Sequence, residues 1–350
     1  MTHGGNVWAG GDPAEWLDYS ANIRPGGPPE WVRAALRKAM DNVPYYPQLS
    51  MDNARKALGS YLGLPPEMVL PTAGGIAAIS LVTRRKVERV RIPAPAFVEY
   101  AQLSERSGLP VELRPLIAED HRLRTPAEAL GEDLGENTCV WLCNPSNPIG
   151  VGFAPQEVEE LLSCVEKRHG ILVVDEAFIH YCPENSVRHL LADHPRLLIT
   201  GSMTKILGIP GVRLGYLAGG ELLPELADCL DPWNLNCFAE SVLLALPEHA
   251  ADIEEEYASN VFRRESMRTG LEALGIYVYP SQANFFLCDF RRDVRPIEDI
   301  LQEQKILVRR CMNFPGVDDG RHLRLAVKDE RSNKRFLTKL EEAMQCAENH

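Results

Sequence analysis

Long hydrophobic runs and an excess of basic residues are both missing from this chain of 350 residues. No stretch reaches the roughly 18 consecutive apolar residues that a membrane-spanning helix needs. The first six residues, MTHGGN, lack the basic and apolar regions of a secretory signal. Lys and Arg number 37 against 49 Asp and Glu, and the net charge of -12 argues against non-specific nucleic-acid binding. We therefore expect a globular cytoplasmic protein that binds neither membrane nor nucleic acid.

Paired cysteine motifs are absent as well. The nine cysteines are scattered along the chain, and none forms a C-x-x-C pair. Cys139 and Cys143 lie four residues apart in one apolar run, where a strand points both side chains to the same face. That arrangement is a poor start for a tetrahedral metal site. An odd number of cysteines without a signal sequence is typical of reduced thiols in the cytoplasm. Because the cysteines also lack the spacing of metal ligands, we predict no metal site.

Short apolar runs separated by amphipathic segments fill the middle of the chain. Four such runs, at 139–143, 171–174, 197–200 and 214–218, show no polar alternation, which favours strands buried on both faces. Between the first two runs, residues 156–168 carry apolar side chains at helical spacing. Strand, helix and strand in succession predict an α/β fold with a large, doubly wound and mostly parallel sheet.

The two ends of the chain follow other patterns. Residues 1–37 begin with a stretch rich in Gly and Pro, which predicts an N-terminal arm that also contributes to a small domain. Residues 38–254 form the predicted large domain. In residues 255–350, long helical patterns alternate with short apolar runs, one of them at 306–309, and this predicts a small α+β domain.

Polar residues follow three of the predicted strands, at the edge where open α/β sheets carry their sites. Asn147 follows the first strand, Asp175 ends the second, and Ser202-x-x-Lys205 follows the third, with Arg213 eight residues further on. Burial and nearby cations keep a lysine partly neutral, and a neutral lysine condenses with aldehydes. A strand-end carboxylate keeps a pyridine nitrogen protonated, while serine, arginine and a helix N-terminus cradle a phosphate. Together these groups predict a site for pyridoxal 5'-phosphate.

The order of these residues resembles the fold-type I aminotransferases, the class I and II aminotransferase family, over nearly the whole chain. The resemblance implies the fold-type I fold of pyridoxal-phosphate-dependent transferases. It also implies that Lys205 and Asp175 are catalytic: Lys205 binds the cofactor covalently, and Asp175 pairs with its pyridine nitrogen. A homodimer is implied because Tyr46 matches a tyrosine that reaches the cofactor phosphate of the neighbouring subunit. The cofactor-binding residues predicted in this way are Gly74, Gly75, Ile76, Phe97, Asn147, Asp175, Ser202, Lys205, Arg213 and Tyr46.

Three segments indicate the reaction within this family. Residues 3–6 (HGGN), 18–23 (DYSANI) and 308–316 (VRRCMNFPG) resemble segments of the threonine-phosphate decarboxylases of cobalamin biosynthesis. The resemblance implies decarboxylation of L-threonine O-3-phosphate or L-serine O-phosphate, a small phosphorylated amino acid, to an aminoalkyl phosphate. Histidinol-phosphate aminotransferase, or a related aminotransferase, is the alternative. The substrate-binding residues predicted in this way are His3, Gly5, Asn6, Asn22, Asn147, Arg309 and Arg324.

Several alternatives stay open at this point. His3, Asn6 and Arg309 are the first candidates for the substrate phosphate, with Arg310 and Arg24 in reserve. Phe178 stands where many relatives have a tyrosine that bonds the ring hydroxyl of the cofactor, which leaves Asn147 alone at that oxygen. A ligand-binding regulator would need a DNA-binding appendage, and a cofactor-free homologue would lack the lysine. Neither alternative fits this chain as well as an enzyme does.

Overall fold

The computed structural model describes residues 3–118 and 122–348. Within these residues the strands are β1 (Leu17–Asp18), β2 (Val69–Thr72), β3 (Arg89–Ala94), β4 (Val111–Pro115), β5 (Thr138–Cys143), β6 (Ile171–Asp175), β7 (Leu197–Ser202), β8 (Gly215–Gly219), β9 (Tyr277–Val278), β10 (Phe285–Asp289), β11 (Ile306–Leu307), β12 (Arg309–Arg310) and β13 (His322–Ala326). The α-helices are α1 (Glu30–Ala39), α2 (Asp52–Leu62), α3 (Gly75–Val82), α4 (Glu99–Arg106), α5 (Pro155–Glu166), α6 (Leu223–Ala227), α7 (Cys237–Ala245), α8 (Ala250–Ala273), α9 (Arg295–Glu303) and α10 (Glu330–Glu348).

A seven-stranded sheet forms the centre of the molecule. Its strand order is β2-β8-β7-β6-β5-β3-β4, and β8 runs antiparallel to both of its neighbours while the remaining pairs are parallel. Every residue of β5, β6 and β7 is buried, as expected for a sheet covered on both faces. Helix α5, which lies between β5 and β6 along the chain, buries its predicted apolar face. The α/β fold with a mostly parallel, doubly wound sheet is therefore confirmed.

The register of the sheet brings the ends of three parallel strands to one edge. Cys143 at the end of β5 pairs with Asp175 at the end of β6, and Asp175 pairs with Thr200 in β7. The residues that follow these strands therefore converge on the same edge, where such sheets carry their ligands.

A second, antiparallel sheet has the order β12-β13-β10-β9. Its apolar side chains form a separate hydrophobic cluster with the helices α8, α9 and α10, and Tyr19 from the N-terminal segment belongs to that cluster. The N-terminal β1 also pairs in parallel with β11, so the arm is attached to this part of the molecule. Helix α8 links the two clusters, since Ile253 packs in the larger one and Met267 in the smaller one. None of the described helices is long and apolar enough to cross a membrane.

The apolar run at 306–309 departs from its single predicted strand. Ile306 and Leu307 pair with β1, whereas Arg309 and Arg310 pair with β13 in the other sheet. The Tyr19 N–H donates to the Leu307 carbonyl at 2.7 Å, which extends the pairing with the β1 segment to Leu307. The chain therefore passes from one sheet to the other at Val308. As a result, Arg309 lies directly opposite Arg324 in the β12–β13 pair.

Candidate active site

A cavity of about 610 Å³ lies at the edge where β5, β6 and β7 end. Its walls come from three parts of the chain: the N-terminal arm, the large sheet and the small sheet. The predicted site residues that line it are His3, Gly5, Asn22, Phe97, Asn147, Asp175, Lys205, Arg309 and Arg324.

Asp175 is buried at the floor of this cavity. One of its carboxylate oxygens accepts a hydrogen bond from the Tyr100 hydroxyl, and the other accepts the Ala177 N–H at 3.0 Å. Burial raises the pKa of Asp175, and these two hydrogen bonds oppose that rise because they stabilise the carboxylate. The arrangement holds one anion in an apolar setting, which is what a protonated ring nitrogen requires as a partner.

Lys205 lies in the loop after β7 and lines the same cavity. Its Nζ donates to the Thr204 hydroxyl at 3.0 Å. Burial, together with the positive charge of Arg213, lowers the pKa of the lysine from 10.5 to about 8, against the opposing effect of Asp175. A lysine in this state is neutral and nucleophilic in a useful fraction of molecules near neutral pH.

The predicted phosphate contacts converge beside Lys205, although they do not line the cavity. Helix α3 begins at Gly75, and the residue before it, Gly74, has a φ of +85°. A Cβ on Gly74 would lie 2.6 Å from Nη2 of Arg213, so any other residue here would displace the guanidinium as well as adopt an unfavourable φ. A Cβ on Gly75 would lie 3.7 Å from the Cβ of Ser202. A helix N-terminus, a hydroxyl and an arginine thus meet at one place, which suits a phosphate group.

Arg324 connects the large sheet with the N-terminal segment. Its Nη1 donates to Oδ1 of Asn147 at 2.8 Å, and its Nη2 donates to the Ser20 carbonyl at 2.6 Å. Its Nε, although buried, has no hydrogen-bond partner within the described residues. The side-chain amide of Asn22, only 3% exposed on the cavity wall, also lacks partners for both of its polar atoms there. Buried polar groups without partners in a cavity wall indicate that a polar ligand completes them.

Arg309 adds a second buried cation opposite Arg324. The two residues are 5% and 7% exposed and form a direct cross-strand pair. Burial lowers the pKa of both, to about 10 for Arg324, and Arg309 contributes to the effect on Arg324. No carboxylate of the described ranges lies within ion-pair distance of Arg324. Like charges opposite one another destabilise a sheet, so this pair is suited to binding an anion between its members.

Aromatic side chains shape the rest of the cavity. Phe97 lies in the wall, with its ring centroid 6.2 Å from that of His3. The Phe178 ring lies 5.9 Å from Nζ of Lys205 and packs edge-on against Phe285. Phe178 carries no hydroxyl, so it offers no hydrogen bond to a ring hydroxyl in this cavity.

Several predicted residues lie elsewhere. Asn6 is exposed and Ile76 half-buried, and neither lines the cavity. Tyr46 is 80% exposed and contacts Trp233, outside the cavity of its own chain. The two reserve arginines are engaged in ion pairs, Arg24 with Asp252 and Glu256, and Arg310 with Glu298.

Two residues of the site received no role from the sequence. Tyr100, stacked on Trp141 at 4.8 Å, supplies the hydroxyl that holds Asp175. The sequence does place Tyr100 three residues after Phe97, so both side chains lie near the start of α4. Ser20 presents its carbonyl to Arg324, and no side-chain pattern reports a backbone contact of this kind.

The donor set fits pyridoxal 5'-phosphate. Asp175 offers a buried anion for the ring nitrogen, Lys205 a depressed-pKa amine, and Gly74 with Arg213 a cradle that a larger residue would fill. Within residues 3–118 and 122–348, no group of three or more His, Cys, Asp and Glu side chains is arranged to hold a metal ion.

A family model described as "Aminotransferase class I and II" matches residues 14–340. The chain belongs to the class I and II aminotransferase family. Together with the donor set, this membership makes it an enzyme that depends on pyridoxal 5'-phosphate.

The chain resembles proteins of more than one named activity. The threonine-phosphate decarboxylase of Salmonella typhimurium is 31% identical over 97% of this chain and 95% of the relative. A histidinol-phosphate aminotransferase of Symbiobacterium thermophilum is 32% identical over 94% of this chain and 90% of the relative. The crystal structure of the histidinol-phosphate aminotransferase from Clostridium acetobutylicum matches with a TM-score of 0.84 at 28% identity, covering 93% of this chain and 98% of that one. The chain is similar to both decarboxylases and aminotransferases.

Proposed function

We propose that the protein decarboxylates an O-phosphorylated β-hydroxy amino acid, L-threonine O-3-phosphate or L-serine O-phosphate, to the aminoalkyl phosphate of the cobalamin nucleotide loop. The observation that carries the proposal is the pair of buried arginines, Arg309 and Arg324, opposed across β12 and β13 in the cavity wall. A substrate with a carboxylate and a phosphate supplies two anionic groups for two guanidinium groups. The similarity to a threonine-phosphate decarboxylase supports the same substrate class.

The residues of the site divide the work of this reaction. Pyridoxal phosphate, when bound, supplies a ring that accepts the electron pair of the bond that breaks at the α-carbon. Asp175 holds the proton on the ring nitrogen, and Asn147 bonds the ring hydroxyl. With the cofactor bound, Arg324 would hold the substrate carboxylate, so that the bond to the carboxylate, and not the bond to hydrogen, is the one oriented for cleavage. Lys205 returns a proton to the carbon that has lost CO₂.

Amino transfer from histidinol phosphate is the second candidate, because aminotransferases of that kind are equally similar in sequence. The test offers four reactions to the loaded enzyme: O-phosphothreonine alone, O-phosphoserine alone, threonine alone, and histidinol phosphate with 2-oxoglutarate. We expect CO₂ from the first two and little from threonine, which lacks the phosphate. Glutamate in the fourth reaction, with no CO₂ in the first two, would leave amino transfer as the function.

A homodimer in the cytoplasm is part of the proposal. Exposed apolar side chains cluster in residues 40–49, at Met40, Val43, Tyr45 and Leu49. Trp233, also exposed, contacts Tyr46 of the same segment. We assign this surface to a second copy of the chain, because the exposed Tyr46 lies within it and is matched to a residue that reaches across. The limits of the arm and the two domains, 1–37, 38–254 and 255–350, belong to the same proposal.

Subunit mixing tests the shared site. The Tyr46→Phe and Lys205→Ala variants are each expected to be weak or inactive alone. Refolding them together in equal amounts would make about half of the dimers hybrids, in which one of the two sites has both residues intact. About a quarter of the wild-type activity should therefore return if each site borrows Tyr46 from its partner. A fully active monomer would contradict the arrangement.

A further inference from the structure

The N-terminal arm is held over the substrate cavity at two places. The Gly5 N–H donates to the Ser20 hydroxyl at 2.8 Å, and a Cβ on Gly4 would lie 2.1 Å from the Ser20 carbonyl oxygen. The arm therefore packs backbone to backbone against the segment that follows β1. At its other contact, Nε2 of His3 lies 2.9 Å from Oε1 of Glu99, the first residue of α4. Both contacts lie beside the cavity, because His3, Gly4, Gly5 and Ser20 all line it.

The position of Glu99 is unexpected beside a site for anionic substrates. Its side chain is 11% exposed and does not line the cavity, whereas its partner His3 is 50% exposed and does. A carboxylate so close to the site repels an arriving phosphate unless a cation or N–H donor lies between them. The imidazole of His3 occupies that intermediate position.

We propose that Glu99 is a positioning residue whose carboxylate holds the imidazole of His3 over the cavity, so that the arm is in place before the phosphorylated substrate arrives. The inference rests on the proposed function in one respect, that the substrate carries a phosphate. Glu99 acts through His3, and its removal therefore affects substrate binding more than the chemical step or the cofactor.

If Glu99 acts through His3, the effect of Glu99→Ala on KM should depend on whether His3 is present. In the otherwise native enzyme, Glu99→Ala frees the imidazole, and we expect KM for the phosphorylated substrate to rise by about three- to tenfold with kcat nearly unchanged. Glu99→Gln keeps an acceptor oxygen without the charge, so its KM should lie between those of the wild type and of Glu99→Ala. In the His3→Ala background the carboxylate is an unpaired anion near the site, so Glu99→Ala should leave KM unchanged or lower it.

The matched control is Glu105→Ala. Glu105 lies on the same helix α4 and is exposed, and the carboxylate that contacts His3 is that of Glu99 instead. It should change neither KM nor cofactor absorbance. A purely structural role of Glu99 in α4 would instead raise KM equally in both backgrounds and weaken cofactor binding.

A second measurement needs neither substrate nor cofactor. Amide hydrogen exchange of residues 3–8 in the cofactor-free protein reports the Gly5 N–H bond to Ser20 directly. Glu99→Ala and His3→Ala should each speed exchange of Gly5, and Glu105→Ala should not. If exchange responds in this way while neither phosphoamino acid is turned over, the proposed function fails and the role of Glu99 stands. If the enzyme decarboxylates O-phosphothreonine but Glu99→Ala changes neither exchange nor KM, the inference is overturned.

Discussion

The buried amine of Lys205 makes a stability prediction that can be tested without any substrate. In the folded protein its pKa is lowered from 10.5 to about 8, first by burial and then by Arg213. Burial disfavours the ammonium form, so the folded cofactor-free protein pays a penalty that is complete below pH 8 and disappears above pH 10.5. Replacing the lysine by methionine removes the charge and keeps a side chain of similar length.

The size of the effect follows from the two pKa values. At about 1.36 kcal/mol per pH unit, Lys205→Met should stabilise the cofactor-free protein by about 3 kcal/mol at pH 7, about 2 kcal/mol at pH 9 and about 1 kcal/mol at pH 10. Wild-type stability relative to the variant thus rises with pH through this window. Any gain from the apolar methionine is independent of pH and shifts all values together.

Urea unfolding of both cofactor-free proteins, at equal protein concentration and at each pH, measures this difference. Lys38→Met on the exposed face of α1 is the matched control for replacing a lysine by methionine, and its effect on stability should be small. If the free-energy difference between Lys205→Met and the wild type is the same at pH 7 and pH 10, the amine is solvated in the folded protein. That result would refute the electrostatic account of the site.

Two further variants test the cavity floor and the phosphate cradle. Tyr100→Phe removes one of the donors to Asp175, so kcat should fall about tenfold and the acidic limb of its pH profile should move to higher pH, because the carboxylate then ionises less readily. An unchanged profile would show that the hydroxyl has no part in holding the charge. Gly215→Ala places a Cβ 2.5 Å from the Gly75 nitrogen, and the cofactor dissociation constant should rise at least about tenfold as the start of α3 is displaced. Gly220→Ala, whose Cβ finds its nearest atom at 3.5 Å, should bind the cofactor normally in the same spectroscopic titration.

Much of the fold could be predicted because its signals are local. The runs that became β5, β6 and β7 are apolar without alternation, and the helix between the first two carries its apolar face at helical spacing. Once these strands are parallel neighbours, the residues after them must meet at one edge. For this reason Asp175 and Lys205 could be assigned to one site before any contact was known.

Other features depend on register and packing, which the sequence does not report. The opposition of Arg309 and Arg324 exists because the chain changes sheets at Val308, and the run at 306–309 contains no turn signal to announce it. The bond from Tyr100 to Asp175 depends on how α4 packs against the sheet. The bond from Arg324 to the Ser20 carbonyl uses a backbone atom that every residue type has, so no side-chain pattern reports it.

The central claim, that the carboxylate leaves from the α-carbon of a phosphorylated amino acid, is tested most directly by isotopes. The loaded enzyme is given O-phosphothreonine labelled with ¹³C in its carboxyl group, in deuterated water and without any oxo acid, and the mixture is followed by NMR. We expect labelled CO₂ in amounts equal to the aminoalkyl phosphate formed, with one deuteron on the carbon that carried the carboxylate and no product from the Lys205→Ala variant. Retention of the label in an oxo acid, with consumption of one substrate per site and no labelled CO₂, would contradict the account and establish amino transfer instead.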